Sequence, residues 1–463
     1  MAKPSKSPVY RTSLLMKLLN NSVIMSTGRK RWLLTGFSLL LSVVLASSAA
    51  AQDDKKDERK TKQTVAMSQP VYEKLMEVQE FVEAEDFANA NVAIAELREK
   101  KKLSDYEKAQ IWNISGYSYY LQENYPQAIE SYKQVLAQPE LPEALQQSTL
   151  KTLAQLHFTV ENYEEALVTI NRLMAVVDEP AADVYMLLGQ AHFQMANYEE
   201  AIAPIKTAID MFKEQGRVPR ENWLLLLRVC YWELRDFPNM LIVLEELIEA
   251  YPKDSYILTL AGVYSELGDT KKQLALTEAL YERGYIDGKT HAINLANLYL
   301  LHGIPVKAAL VLEKEMDAGS VESSVRNLRL LSQAWYSARE DEKAIPPLVM
   351  AAEASNEGEL YIRLAQSYLN LEKWNDAAVA AKKALDVGGL KRQDTANIMY
   401  GMALFNQKKL NQARRAFQAA GRDQRSSRAA AQWIKYVDSE IRRRDTLEQK
   451  LPEMKARDVD EIL

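Results

Sequence analysis

The sequence predicts an all-α solenoid of about ten helical hairpins closed by a C-terminal capping helix. Three observations predict it. A pattern of apolar helix face, small residue, aromatic, polar turn and alanine-bearing second helix recurs ten times between Tyr72 and Ala420, at spacings of 33 to 39 residues. A small residue returns at two fixed places of most copies. The 463 residues include only 16 glycines, as suits helices joined by short turns. The clearest copies are WNISGYSYYLQENYPQAIESYKQVL (112–136), YMLLGQAHFQMANYEEAIAPIKTAI (185–209) and YIRLAQSYLNLEKWNDAAVAAKKAL (361–385). In such an array each unit contacts only its neighbours, so the stack presents an extended surface rather than one enclosed pocket.

Residues 1–51 stand apart. STGRKR precedes the apolar run WLLTGFSLLLSVVLA (32–46), and SSAAA precedes Gln52. A basic flank, a short apolar run and small residues describe a secretory signal peptide cleaved after Ala51, with Met25 as an alternative start. The run falls short of the roughly 20 residues that a spanning helix needs. No stable membrane insertion is therefore expected after cleavage, an uncleaved anchor being the alternative. No cysteine lies near the cleavage site, which excludes lipid attachment there. The expected location is the periplasm of a Gram-negative bacterium. QDDKKDERKTKQT (52–64) is charged and lacks large apolar residues, so 52–70 reads as a disordered linker.

The solenoid is expected over 71–425, with units beginning at 71, 109, 147, 182, 221, 254, 289, 325, 358 and 394. The eighth place holds Gly116, Ala154, Gly189, Ala261, Ala296, Ser332, Ala365 and Gly401, and the twentieth holds Ala90, Ala128, Ala166, Ala201, Ala308, Ala344, Ala377 and Ala413. Two helices approach closely only where side chains are small, so these places set the distance within each hairpin. Asn124, Asn162, Asn197 and Asp236 precede the second helices and can cap them; proline or an acid suits the first turn that follows. Pro204 and the pair Pro346 and Pro347 fall inside second helices and should delay or kink them. The units at 71, 221, 254 and 289 rest mainly on spacing, because Val78, Arg228, Met240 and Gln273 break the small-residue pattern.

A capping helix is expected over 426–450, with Trp433, Val437 and Ile441 facing the last unit and Arg442, Arg443 and Arg444 facing water; 451–463 reads as a flexible tail. Without residues 1–51 the chain carries 51 basic and 63 acidic residues, net −12, which argues against a nucleic-acid or anionic-membrane binder. Residues 408–444 are locally basic, with eleven Lys or Arg against three acids, and Arg442, Arg443 and Arg444 form a candidate basic patch. A solvated face is the plainer reading of that stretch.

No catalytic or metal chemistry is legible. The four histidines (157, 192, 291 and 302) are scattered, and His157 and His192 take a place where tyrosine is usual, which reads as core packing. No His-Glu-x-x-His, Cys-x-x-Cys or phosphate-cradling glycine loop occurs. Cys230, in LLLLRVCYW, reads as a buried small hydrophobe rather than a reactive thiol. No enzyme activity, cofactor or metal is expected.

These residues resemble the tetratricopeptide repeat family. Its pattern is met by Trp112, Gly116, Tyr119, Ala128 and Tyr132, and again by Tyr185, Leu188, Gly189, Ala201 and Ala208. The resemblance implies a right-handed superhelix whose concave face, lined by first helices, binds peptides or proteins. On that geometry Tyr117, Tyr120, Phe158, Phe193, Trp232, Tyr336 and Phe405 fall on the concave side, beside Asn113, Gln155, Gln190 and Asn297. Packing against a neighbouring unit is the alternative role for each. The family's clamp for a C-terminal carboxylate is incomplete: Lys151 and Gln155 partly match, but the next unit offers Leu187. The chain also looks like exported tetratricopeptide proteins found with the Ton energy-transducing systems of gamma-proteobacteria. The expected function is a non-catalytic scaffold that binds a protein or peptide of the cell envelope, in support of Ton-dependent uptake of iron compounds. The alternatives are an outer-membrane or secretion assembly factor that binds extended polypeptide, and a glycan-binding or cell-wall-associated protein.

Overall fold

A computed structural model of the protein describes residues 67–286 and 289–460. The expected signal peptide and residues 52–66 of the expected linker lie outside the described residues. Among the described residues there are 21 helices and no strand. They fall into two compact units, one running to Tyr251 and the other beginning at Pro252.

The first unit stacks five hairpins: α1 (Gln69–Glu83) with α2 (Phe87–Glu99), α3 (Asp105–Leu121) with α4 (Tyr125–Leu136), α5 (Glu143–Thr159) with α6 (Tyr163–Val176), α7 (Ala182–Gln194) with α8 (Tyr198–Glu214), and α9 (Glu221–Glu233) with α10 (Phe237–Ala250). The second unit stacks five more: α11 (Asp254–Glu266) with α12 (Thr270–Glu282), α13 (Lys289–Leu301) with α14 (Pro305–Asp317), α15 (Val325–Ser337) with α16 (Asp341–Ser355), α17 (Gly358–Asn370) with α18 (Trp374–Val387), and α19 (Gln393–Asn406) with α20 (Leu410–Ala420). The long α21 (Gln424–Asp460) follows. Six first helices begin on the expected residue and the other four begin one to four residues earlier. All four units that rest mainly on spacing form hairpins, with Val78 and Met240 buried.

The small residues do what close packing requires. Each of the eight alanines at the twentieth place is fully buried. At the eighth place the glycines face a bulky residue sixteen positions on. A Cβ added to Gly116 would come 2.9 Å from the Tyr132 ring, and one added to Gly401 would come 2.7 Å from Phe417. One added to Gly189 would collide with Ile205 Cγ1. Where the eighth place is Ala365, residue 381 is also alanine, and both are buried. The core thus trades size between the two helices: a bulky residue on the second helix faces glycine on the first, and alanine faces alanine.

Every hairpin turns in the same way. The residue two places beyond the first helix has φ between 54° and 74°, and only Gly268 and Gly303 among the ten are glycine. The next amide donates to the carbonyl five residues back at 2.8–2.9 Å, as Asn124 does to Tyr119 and Asp236 to Tyr231. That bond closes the end of the first helix on itself. The same residue then caps the second helix: the side chains of Asp86, Asn124, Asn162, Asp236 and Asp269 each accept an amide three residues on. Asn197 holds the expected place but makes no side-chain cap bond.

The interior prolines do not delay their helices. α8 starts directly after its turn and runs through Pro204, and α16 runs through Pro346 and Pro347. Pro204 and Pro347 are buried, so packing of the inner face offsets the lost amide bonds. The capping helix forms as expected from its apolar face: Trp433 stacks on Phe417 with centroids 5.2 Å apart, and Val437 is fully buried. α21 passes the expected boundary at 450 and continues to Asp460, with no glycine in the run to end it.

Candidate protein-binding surfaces

Four consecutive first helices of the first unit end in an aromatic ring. Tyr120, Phe158, Phe193 and Trp232 close α3, α5, α7 and α9, and each packs against the ring that opens its own second helix. The pairs are Tyr120 with Tyr125, Phe158 with Tyr163, Phe193 with Tyr198 and Trp232 with Phe237, with centroids 6.1, 5.7, 5.6 and 5.9 Å apart. The shared turn geometry produces this row, because it places residues five apart on facing ends of the two helices. Tilted and edge-on rings at these distances attract one another beyond their buried area.

The pairing decides which rings remain accessible. Phe193 is 3% exposed and Tyr117, one turn earlier on α3, is 7% exposed. Tyr120 and Phe158 are half-buried. Trp232 is 48% exposed, and Leu234 beside it is 43% exposed. Gln155, one turn before Phe158, is exposed, and Gln190 is half-buried.

The two candidates of the second unit part company. Phe405 packs edge-on against Trp433 of α21, centroids 5.8 Å apart, so it serves the cap. Tyr336 is half-buried and lines a cavity of about 330 Å³ together with Ser332, Gln333, Arg363, Gln366 and Met399. Tyr336 stands out in the sequence, whereas Ser332 reads there only as a small residue that sets the hairpin spacing. Arg363, Gln366, Ser367 and Met399 carried no signal of a shared cavity, since that depends on how three successive hairpins stack.

Arg442, Arg443 and Arg444 are exposed on α21. Acids on the same helix offset part of their charge: Glu440 lies 3.7 Å from Arg443, and Asp445 and Glu448 lie 3.7 and 3.6 Å from Arg444. Cys230 is fully buried, and burial pushes its thiol up to about 12, far from the thiolate that a nucleophile needs. His157 is 3% exposed with neither ring nitrogen hydrogen-bonded, and burial lowers its pKa. Among the described residues no group of three or more His, Cys, Asp or Glu is placed to hold a metal ion.

Comparison with protein families matches residues 75–143 and 151–216, the first four hairpins, to one model. It is the tetratricopeptide repeat. The match supports the family resemblance carried by Trp112, Gly116, Gly189 and their counterparts. No curated protein matches the chain. Solved structures similar to it include a tetratricopeptide repeat protein from Parabacteroides merdae, 14% identical over 64% of this chain and 99% of that one, with a TM-score of 0.33. YrrB, described as a tetratricopeptide protein with an unusual peptide-binding site, is 17% identical over 42% of this chain and 97% of its own, with a TM-score of 0.34. The TPR2AB domain of yeast Sti1, in complex with pHSP90, is 15% identical over 63% and 98%, with a TM-score of 0.30. Tetratricopeptide hairpins serve as protein-binding scaffolds, and among the described residues no helix is long and apolar enough to cross a membrane.

Proposed function

We propose that this protein is an exported, non-catalytic scaffold that holds a polypeptide of the cell envelope on the aromatic row of its first unit. The observation that carries the reading is Trp232. It ends a row whose other rings are half-buried or buried, yet it leaves about half of its own surface open beside exposed Leu234. Exposed tryptophan against an ordered apolar neighbour is the usual make-up of a binding hot spot. The polar side chains of Gln155 and Gln190 on neighbouring first helices can meet a bound backbone. The signal-like residues 1–51 support a periplasmic location, and the resemblance to Ton-associated exported proteins favours a partner engaged in Ton-dependent uptake of iron compounds.

The test is in-cell cross-linking. A photoreactive phenylalanine analogue replaces Trp232, Phe158 or, as the comparison site, Arg442 in the full chain, expressed in a Gram-negative host. Trapped species are identified by mass spectrometry. Capture of one envelope protein from Trp232 and Phe158 supports the reading, and a Ton-system component among the captured species supports its finer form. Outer-membrane assembly proteins in their place replace the Ton assignment. Capture from Arg442 alone transfers the interface to α21 and ends the proposal.

A further inference from the structure

The cavity of the second unit has features of its own. It opens between α15, α16, α17 and α19, with Leu348, Ile362 and Met399 as its apolar lining. Its volume of about 330 Å³ is at the small end for ligand sites, suited to one compact group. Ser332 and Ser367 also line it and are only 4% and 1% exposed, yet among the described residues neither hydroxyl has a hydrogen-bond partner. A helical serine commonly returns its hydroxyl to the carbonyl one turn back, as Ser115 and Ser131 do at 2.7 and 2.8 Å. Two hydroxyls without that bond, opening on a cavity with an apolar wall, are donors free to meet a group that enters it.

Charge at the rim points the same way. Arg363 Nη1 donates to Gln333 Oε1 at 3.3 Å, and Arg363 meets no carboxylate among the described residues. Arg329, on the neighbouring first helix, already holds Glu357 at 2.6 Å. A guanidinium with spare donors in fixed geometry beside an apolar cavity is matched by a carboxylate.

We infer that this cavity is a second binding site, taking an apolar group that bears a carboxylate. The apolar body lies against Leu348, Ile362 and Met399, and the carboxylate meets Arg363, with the Ser332 and Ser367 hydroxyls as further donors to its oxygens. The same chemistry is offered by a small free carboxylic acid and by a polypeptide in which an aromatic residue precedes glutamate.

Two probe pairs separate those sources, read by the methyl resonance of Met399 in the full chain labelled with 13C-methyl methionine and assigned with Met399→Leu. One pair is 3-phenylpropionate and 3-phenylpropionamide. The other is the acetylated, amidated hexapeptide Gly-Ser-Phe-Glu-Ser-Gly and its Phe-Gln counterpart. The expected result is a saturable shift with at least one carboxylate probe, about fivefold or more tighter than its amide, with the preference lost in Arg363→Gln. Response to the free acid alone identifies a small-molecule site, and response to the peptide alone a polypeptide site. Equal binding of acid and amide, no saturable shift with any probe, or a preference that survives Arg363→Gln overturns the inference. Cross-linking from Trp232 is untouched by Arg363→Gln, so the two readings fail separately.

Discussion

Gly189 and Ile205 meet so closely across the fourth hairpin that the smallest side chain at 189 would overlap the Ile205 side chain. Ile205 is fully buried and fixed at its branched Cβ, so it has little room to yield. Gly189→Ala should therefore cost about 1–3 kcal/mol, and Gly189→Leu more. Gly262 is the control. Its added Cβ meets nothing within 4 Å in the middle of α11, so Gly262→Ala should gain about 0.5–1 kcal/mol from helix propensity alone. Urea midpoints of the two alanine variants should move in opposite directions; a shared direction would show that the hairpin spacing is not set at residue 189.

The turns make a second prediction. Ala196 sits at φ 59° with a Cβ that disfavours this region, whereas Gly268 fills the equivalent place at φ 74°. Ala196→Gly should leave the turn bonds of Asn197 intact and raise stability by up to about 1 kcal/mol, since relief of strain exceeds the added freedom of the unfolded chain. Gly268→Ala should lower stability by a similar amount, about 1 kcal/mol. Equal and negligible effects at both sites would mean that the repeated left-handed turn carries no strain.

These two sites mark how far the sequence alone reaches. Ala201, Gly189 and Trp433 are legible because helical spacing is local and recurs at every unit. The left-handed backbone at Ala196 and Arg235 is not, because both are ordinary residues that the flanking helices force into place. Trp232 and Phe193 occupy the same place of their repeats, and only the packed structure separates the exposed ring from the buried one. Pro346 and Pro347 point to a delayed or kinked helix, and the delay is absent because packing of the buried Pro347 keeps the helix continuous. The cavity beside Ser332 and Ser367 depends on how successive hairpins stack, which no single repeat records.

The cap is held partly by a buried carboxylate. Asp394, 4% exposed, accepts from Arg392 at 2.6 Å and from the Ser426 hydroxyl of α21 at 2.6 Å. The Arg392 guanidinium holds its carboxyl well below the usual carboxylate range, and the Ser426 bond adds to this. Its contribution is complete above the unfolded pKa, near 3.9, and is lost as pH falls through the lower folded value. Asp394→Asn should cost about 1–3 kcal/mol at neutral pH. Amide exchange of residues 424–441 should quicken more than that of the first unit. Uniform exchange changes throughout the chain would separate Asp394 from the docking of α21.

His157 gives the opposite pH dependence to a salt-bridged histidine. Its ring is buried on α5 without hydrogen bonds, and burial lowers its pKa, with Lys133 adding to the effect and Glu165 opposing it. The folded state thus binds a proton less readily than the unfolded chain, so stability is full above the unfolded pKa of about 6.5 and declines as pH falls toward the lower folded value. His157→Leu keeps an apolar side chain of similar bulk and removes the titration. Between pH 7 and pH 5 the urea midpoint of the parent should fall more than that of the variant. Parallel curves would show that the imidazole reaches water or a partner in the folded state, and that its buried placement costs nothing on acidification.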